Sequence, residues 1–287
     1  MKNDLKISIC SIAYLGYSLE DIFKQLNKMG FGFVELSFIE KYDSTYDDNF
    51  FTSESARNIN RLLSIYKLGC SVLSSHMDLG LDNSYNIFKK RIEFAAEIGA
   101  KAVITNSSSK DKLKSFIENI NSLSAVAEKN NVLILLENPG DGSNNLFGNG
   151  KEGLELISKI NSAFVKINFD PLNIYTYSKG NIDPVAELDY IIDLSEHFHL
   201  KNIINIGNSY NFTSINDKLI NYSDILNRIY SVKKDDLSLS IELPLRAHFS
   251  SNFDFISHPL MPLLNIDSVN DILCKSLKYI KESLFTI

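Results

Sequence analysis

NVLILLENPGDGSNNLFGNGKEGLELISKINSAFVKINFDPLN, residues 131–173, contains one complete strand–helix–strand unit. NVLILLE (131–137) is a short apolar run of strand length, the segment near 151–160 has helical spacing, and AFVKINFD (163–170) returns to strand character. A strand, a helix and a second strand in that order make a parallel pair, because the crossover must bring the chain back in the same direction.

The same unit repeats on both sides. Upstream, LKISICSI (5–12), FGFVELSF (31–38), CSVLSSH (70–76) and KAVITNS (101–107) read as strands. Helical stretches follow them at about 18–29, 54–67, up to about 98, and near 111–129. Ser18-Leu-Glu-Asp21 reads as a capping box, and Gly30 is placed to end that helix. Downstream, a helix is expected near 182–195. HFHL (197–200) then leads through a long loop to a helix at about 222–232. LSLSIEL (237–243) leads through a second long loop to a closing helix at about 267–284.

Eight strand-then-helix units predict an α/β protein, a single (β/α)8 TIM barrel, in preference to an open doubly wound sheet. No glycine-rich phosphate fingerprint follows the first strand, and Gly16 and Gly30 lie too far apart to form one. No low-complexity linker divides the chain, so residues 1–287 are expected to form one domain.

The composition, 44% hydrophobic and 22% charged over 287 residues, is that of a globular protein able to bury a large core without disulfides. The net charge of −6 carries no basic stripe, and Lys89-Lys90-Arg91 and Lys233-Lys234 read as solvated helix faces, which argues against nucleic-acid binding. Cys10, Cys70 and Cys274 are far apart and show no redox or metal pairing; Cys10 and Cys70 sit in apolar runs and read as buried thiols. The N-terminal stretch reaches Glu20 and Asp21 without a cleavage pattern, and no apolar run approaches a membrane span. A cytoplasmic protein with no membrane partner is expected.

In such a barrel the strand C-termini share one rim. The last four strands each end in a side chain able to bind metal: Glu137, Asp170, His199 and Glu242, at spacings of 33, 29 and 43 residues. One acid at a strand end is usually a helix cap or a solvated loop residue, and a lone histidine there is usually structural. Four on consecutive strands are another matter. Three carboxylates together without a cation would repel one another and resist desolvation, so one divalent metal ion is expected, Mn2+, Mg2+, Co2+ or Zn2+.

At these strands the chain resembles the xylose isomerase-like barrel family of sugar isomerases, epimerases and inosose dehydratases, with apurinic endonuclease relatives. The matching segments are FVELSF around Glu35, LSSHMDLG around His76, LLENPG around Glu137, INFDPLN around Asp170, FHLKN around His199 and SIELP around Glu242. LINYSDILNRI (219–229) is similar to the family's lead-in to its seventh helix. The resemblance implies that Glu137, Asp170, His199 and Glu242 hold the metal and that Glu137 and Glu242 flank the substrate carbon as acid and base. It implies isomerisation or epimerisation of a small ketose, sugar acid or related polyol ketone through a metal-stabilised enediolate. The chain departs from the family's sugar epimerases where they often carry a histidine (here Asn173), a glutamate (here Ser143) and an acid (here Asn202). These departures remove the usual sugar-hydroxyl contacts and keep open a dehydratase or decarboxylase acting on a keto-sugar acid. An apurinic-site phosphodiesterase, which needs more histidines and a basic groove, and a non-catalytic barrel stand further off.

Substrate contacts are expected from His76, Glu35, Asn173, Lys201 and Arg246. For His76 a buried structural role, and for Glu35 a salt bridge inside the barrel, are equal alternatives. Lys201 reads more readily as pointing to solvent, and Arg246 as a possible clamp for a carboxylate or phosphate. His197, on the same strand face as His199, reads as a deeper hydrogen-bonded histidine. The long loop 244–262, with His248, Phe249, Phe253, Phe255 and His258, is expected to cover the substrate or to join subunits of a homo-oligomer, its phenylalanines serving as anchors. Residues 138–150 read as a mobile flap.

Overall fold

The computed structural model describes residues 6–39, 47–234, 236–258 and 262–285. Leu5 at the head of the first expected strand and residues 259–261 of the long aromatic loop lie outside the described residues. Eight parallel strands close into a barrel: β1 (Lys6–Cys10), β2 (Phe33–Ser37), β3 (Gly69–Ser74), β4 (Ala102–Asn106), β5 (Leu133–Glu137), β6 (Val165–Phe169), β7 (Ser195–Leu200) and β10 (Ser238–Ile241). β1 closes the ring, pairing Cys10 with Glu35 on one side and Ile9 with Ile241 on the other.

Alternation along each strand sorts its side chains between two faces. One face sends Ile9, Leu36, Leu73, Val103, Leu136, Ile167, Leu200 and Ile241 into one continuous core with the surrounding helices. The other face fills the barrel. There Val72, Ala102, Ile104 and Leu135 form a separate apolar plug under β3 to β5. Across β6, β7, β10, β1 and β2 the filling turns polar, with Asn168, His197, Ser240, Ser8 and Glu35 all fully buried.

The helices are α1 (Leu19–Lys28), α2 (Ser53–Ile65), α3 (Ser84–Glu97), α4 (Leu113–Asn130), α5 (Gly150–Ile160), α6 (Pro171–Tyr177), α7 (Pro184–Ile191), α8 (Tyr222–Lys233) and α9 (Ile266–Phe285). Ser18 caps α1, accepting from the Asp21 amide at 3.1 Å, and Gly30 follows at φ +78°. No helix is long and apolar enough to cross a membrane among the described residues.

Three elements differ from the sequence reading. A helix, α6, begins directly after β6, because Asp170 caps it through the Asn173 amide and Pro171 takes the first helical position, where its missing N–H costs nothing. The helix expected at 182–195 is shorter, and β7 starts at Ser195. The two long loops are largely strand: β8 (Asn202–Ile206), β9 (Ser209–Thr213), β11 (Ala247–Ser250) and β12 (Phe255–Ser257) make an antiparallel sheet in the order β12-β11-β9-β8. Its hairpin turns at Gly207-Asn208, with Gly207 at φ +64°, a backbone that suits glycine. Ile204, Ile206 and Ile256 are exposed on this sheet.

Residues 138–150 are fastened at several points instead of forming a free flap. Asn145 accepts from Ser107 Oγ at 2.6 Å and from the Phe147 amide at 3.1 Å, and the Phe147 ring is fully buried. Gly153 of α5 lies under that ring: an added Cβ would stand 2.4 Å from Phe147 Cε2. Gly153→Ala is therefore expected to destabilise the protein by about 1–3 kcal/mol through overpacking. A lowered urea midpoint at unchanged m-value would show it.

Candidate metal centre

Glu137 is the last residue of β5, Asp170 the first after β6, His199 the last but one of β7, and Glu242 the first after β10. The fold brings one ligand atom from each within 4.8 Å of the others. The four side chains are buried, and Glu137 and Glu242 face a cavity of about 480 Å³.

Each is held by neighbours the same strands supply. Asn138, next along from Glu137, clamps the ends of β5 and β6: its Nδ2 donates to the Asp170 carbonyl at 2.8 Å and its Oδ1 accepts from the Asp170 amide at 3.0 Å. Asp170 spends Oδ1 on its helix cap, leaving Oδ2 toward the cluster. Asn173 donates through Nδ2 to Glu137 Oε1 and to the Asn138 carbonyl, both at 2.9 Å. His76 places Nε2 3.3 Å from Glu137 Oε2, and its Nδ1 lies 3.1 Å from Asn106 Oδ1.

Glu35 lies beneath the cluster and does not line the cavity, which corrects the expectation of a substrate contact. Its carboxylate bonds His199 Nε2 at 3.0 Å and His197 Nε2 at 3.0 Å, and His197 Nδ1 lies 2.7 Å from Ser238 Oγ. Burial alone would raise the Glu35 carboxyl, but the facing His199 charge and the ring hydrogen bonds outweigh it and hold the group well below the usual range. Glu35, His197 and His199 are also close enough to hold an ion, but their facing atoms are already engaged with one another. The arrangement fixes the His199 ring by its Nε2, turning Nδ1 toward Glu242 and Glu137 at 3.1 and 3.4 Å. A carboxylate behind a ligand histidine is the usual means of orienting it.

Lys201, expected to point to solvent, is buried. Its Nζ lies 2.7 Å from Asp170 Oδ2, 2.7 Å from Glu242 Oε2 and 4.0 Å from Glu137 Oε1. Burial disfavours its charge, yet the three carboxylates hold its proton well above the ordinary lysine range. His199 behaves alike: burial lowers it, while Glu35, Glu242 and Glu137 raise it well above the usual value. Asp170 is raised too, but here burial is the cause, pushing it up to about 7 against the pull of Lys201. Burial also opposes the charge on Glu242, but Lys201 and His199 draw its carboxyl well below the usual range.

Arg246, read from the sequence as a possible anion clamp, turns away from the cavity. Its Nη1 donates to the Leu15 carbonyl at 2.9 Å, joining the loop after β10 to the loop after β1. It crosses over Gly16, at φ +98°, where a Cβ would stand 2.7 Å from Nη1.

The donor set fits a divalent ion. Glu137 Oε2, Asp170 Oδ2 and His199 Nδ1 are buried and, beyond their ion-pair contacts with His76, Lys201 and Glu242, have no hydrogen-bond partner among the described residues, a costly state that carboxylate and imidazole donors relieve by coordination. Phe212, Phe249 and Phe255 of the antiparallel sheet line the cavity together with Asn106, Ser107, Ser108 and Asn145. Phe249 and Phe255 thus form part of the cavity wall and are more than loop anchors, whereas Phe253 stacks on Tyr210 at 4.7 Å. His248 and His258 pair with each other at 2.8 Å and do not line the cavity. The sequence reading passed over Asn138 and Asn106, although both stand at strand ends, because an asparagine there carries no charge to attract notice.

The family model of the xylose isomerase-like TIM barrel matches residues 23–257, and the chain belongs to that family. Solved structures share the fold across nearly the full length. A probable 3-DHS dehydratase involved in petrobactin synthesis from Bacillus anthracis is 20% identical, with 96% of this chain and 99% of that one covered at a TM-score of 0.69. D-psicose 3-epimerase from Clostridium cellulolyticum is 11% identical, with 98% and 99% covered at a TM-score of 0.74. The 3-keto-D-glucoside 4-epimerase of E. coli is 14% identical, with 97% and 99% covered at a TM-score of 0.68. At these identities the likeness establishes the fold. No curated protein matches the chain in sequence.

Proposed function

We propose that this protein is a divalent-metal-dependent isomerase or epimerase that moves a proton beside the carbonyl of a small polyol ketone. The observation that carries the reading is the convergence of Glu137, Asp170, His199 and Glu242 at a cavity of about 480 Å³. These four residues would hold the ion, with Mn2+ the first metal to supply. When bound, the ion lowers the cost of the negative charge that develops on the substrate's oxygens.

The remaining chemistry belongs to the chain. Glu137 and Glu242 both face the cavity, so one can take the proton and the other return it to the neighbouring carbon or to the opposite face. Asn173 and His76 hold the two Glu137 oxygens in place, and Lys201 pairs with Glu242 while no metal is bound. The cavity wall pairs aromatic rings with amides and hydroxyls, which suits the C–H and O–H faces of a sugar. Asp78, Glu137, Asp141 and Glu242 line it, and Lys201 is the one lysine or arginine doing so among the described residues. That balance favours a neutral substrate over a phosphorylated one.

Dehydration of a keto-sugar acid on the same residues is the second reading. Asn173 supports it: the amide is occupied by Glu137 and Asn138, where the family's epimerases often carry a histidine for a sugar hydroxyl. Product mass and solvent deuterium uptake separate the two. Dehydration loses one water, whereas isomerisation conserves mass apart from the exchanged hydrogen.

The test of the metal requirement is EDTA treatment followed by Mn2+ or Co2+. Turnover is expected to vanish and then return. Full turnover by protein shown to be metal-free would refute the reading.

A further inference from the structure

We propose that Lys201 is a tethered counter-cation, seated among the ligand carboxylates, that an incoming divalent ion must displace. The inference rests on the metal reading above and adds a competition for the same atoms. Asp170 decides the point. Its Oδ1 already accepts from the Asn173 amide, so Oδ2 is the freer oxygen for a cation, and the Lys201 ammonium stands 2.7 Å from it. On the other side the ammonium meets Glu242 Oε2 at 2.7 Å, an oxygen that His199 Nδ1 also approaches at 3.1 Å. Glu137 Oε1 is 4.0 Å away. Lys201 therefore answers to the same three carboxylates that a metal would bind.

An ammonium is well suited to this place. It is a compact point charge on a flexible four-carbon stem, and it neutralises buried carboxylates without demanding a fixed coordination geometry. It also has somewhere to go. Lys201 follows His199 by two residues at the end of β7 and lines the cavity, so its stem can withdraw into open space without unfolding anything. Two cations crowded onto one buried oxygen would repel strongly in a weakly screening interior. The lysine holds the acids together when no metal is present and yields when one arrives.

Removing the ammonium should separate the two states. Titration of Mn2+ into metal-free wild type and Lys201→Met, by calorimetry, is expected to show the variant binding roughly tenfold tighter or more. Thermal melting without metal is expected to fall in the variant, with the gap to wild type narrowing at saturating Mn2+. Unchanged or weaker Mn2+ binding by a folded variant would overturn the proposal, since Lys201 would then support the metal site instead of competing with it. Should Lys201→Met not fold, Lys201→Gln, which keeps much of the length and a polar end, carries the same comparison. Failure of wild type and variant alike to take up Mn2+ would remove the metal reading and this inference with it. A wild type that binds Mn2+ with no gain in the variant overturns the inference alone. Both readouts are independent of turnover.

Discussion

Glutamine in place of Glu137 is expected to lower kcat by about 10²- to 10⁴-fold, the usual worth of a positioned proton-transfer group. The substitution keeps the side chain's shape and leaves one oxygen to accept from Asn173 Nδ2, which now sits 2.9 Å from Oε1. What it removes is the ability to take a proton and one unit of negative charge at the cluster. Because that charge also helps to hold the metal, the comparison belongs at saturating Mn2+ with metal content measured in each protein. The same change at Glu242 is expected to act similarly, and in the metal-free protein it also removes a full charge 2.7 Å from Lys201. If Glu137→Gln turns over at the wild-type rate with metal bound, Glu137 is not the proton-transfer group. The matching experiment at Glu242 then decides whether the pair does such chemistry at all.

The second large effect is expected from a residue that touches neither substrate nor metal. Glu35 is fully buried, and its carboxylate serves the Nε2 atoms of both His197 and His199. Glu35→Leu would leave two buried rings without their acceptor, and breaking such a pair from one side costs about 3–5 kcal/mol. The His199 ring would also lose the contact that aims Nδ1 at the acids, so Mn2+ affinity is expected to fall about 10- to 100-fold. Chemical denaturation and Mn2+ titration check the two parts separately. Glu35→Gln keeps an acceptor oxygen and is expected to retain more of both. A Glu35→Leu protein with wild-type stability and metal affinity would show that the buried hydrogen bonds do not govern the orientation of His199.

How far the site could be read in advance differs from residue to residue. Lys201 was within reach: it lies two positions beyond His199, and strand alternation carried one step past Leu200 puts both on the same face. The preference for solvent came from the rarity of buried lysines, which holds only while a lysine lacks partners. Arg246 was out of reach. It stands in a loop, where no period fixes direction, and one of its partners is a carbonyl 231 residues away in the chain. Glu35 shows an intermediate case. Alternation places it inside the barrel, but its height relative to the cluster depends on how the strands are staggered around the ring, which local pattern does not encode. The antiparallel sheet had a legible signal in the Gly207-Asn208 turn between the isoleucine-rich NIINI and the alternating SYNFT, obscured by the polar residues of both runs.

Periodicity along the chain by itself determined the eight-strand barrel, since each strand–helix unit carries its own hydrophobic pattern and parallel strands admit few closures. It also placed Glu137, Asp170, His199 and Glu242 at strand ends, because position along a strand is a local property. Only the tertiary structure decided which oxygens face one another, that Glu35 stands behind His199, that Lys201 enters the acid cluster and that Arg246 leaves it. Those outcomes depend on stagger, on loop path and on the competition of charges for a few buried atoms. Such terms exist only once distant segments are in contact.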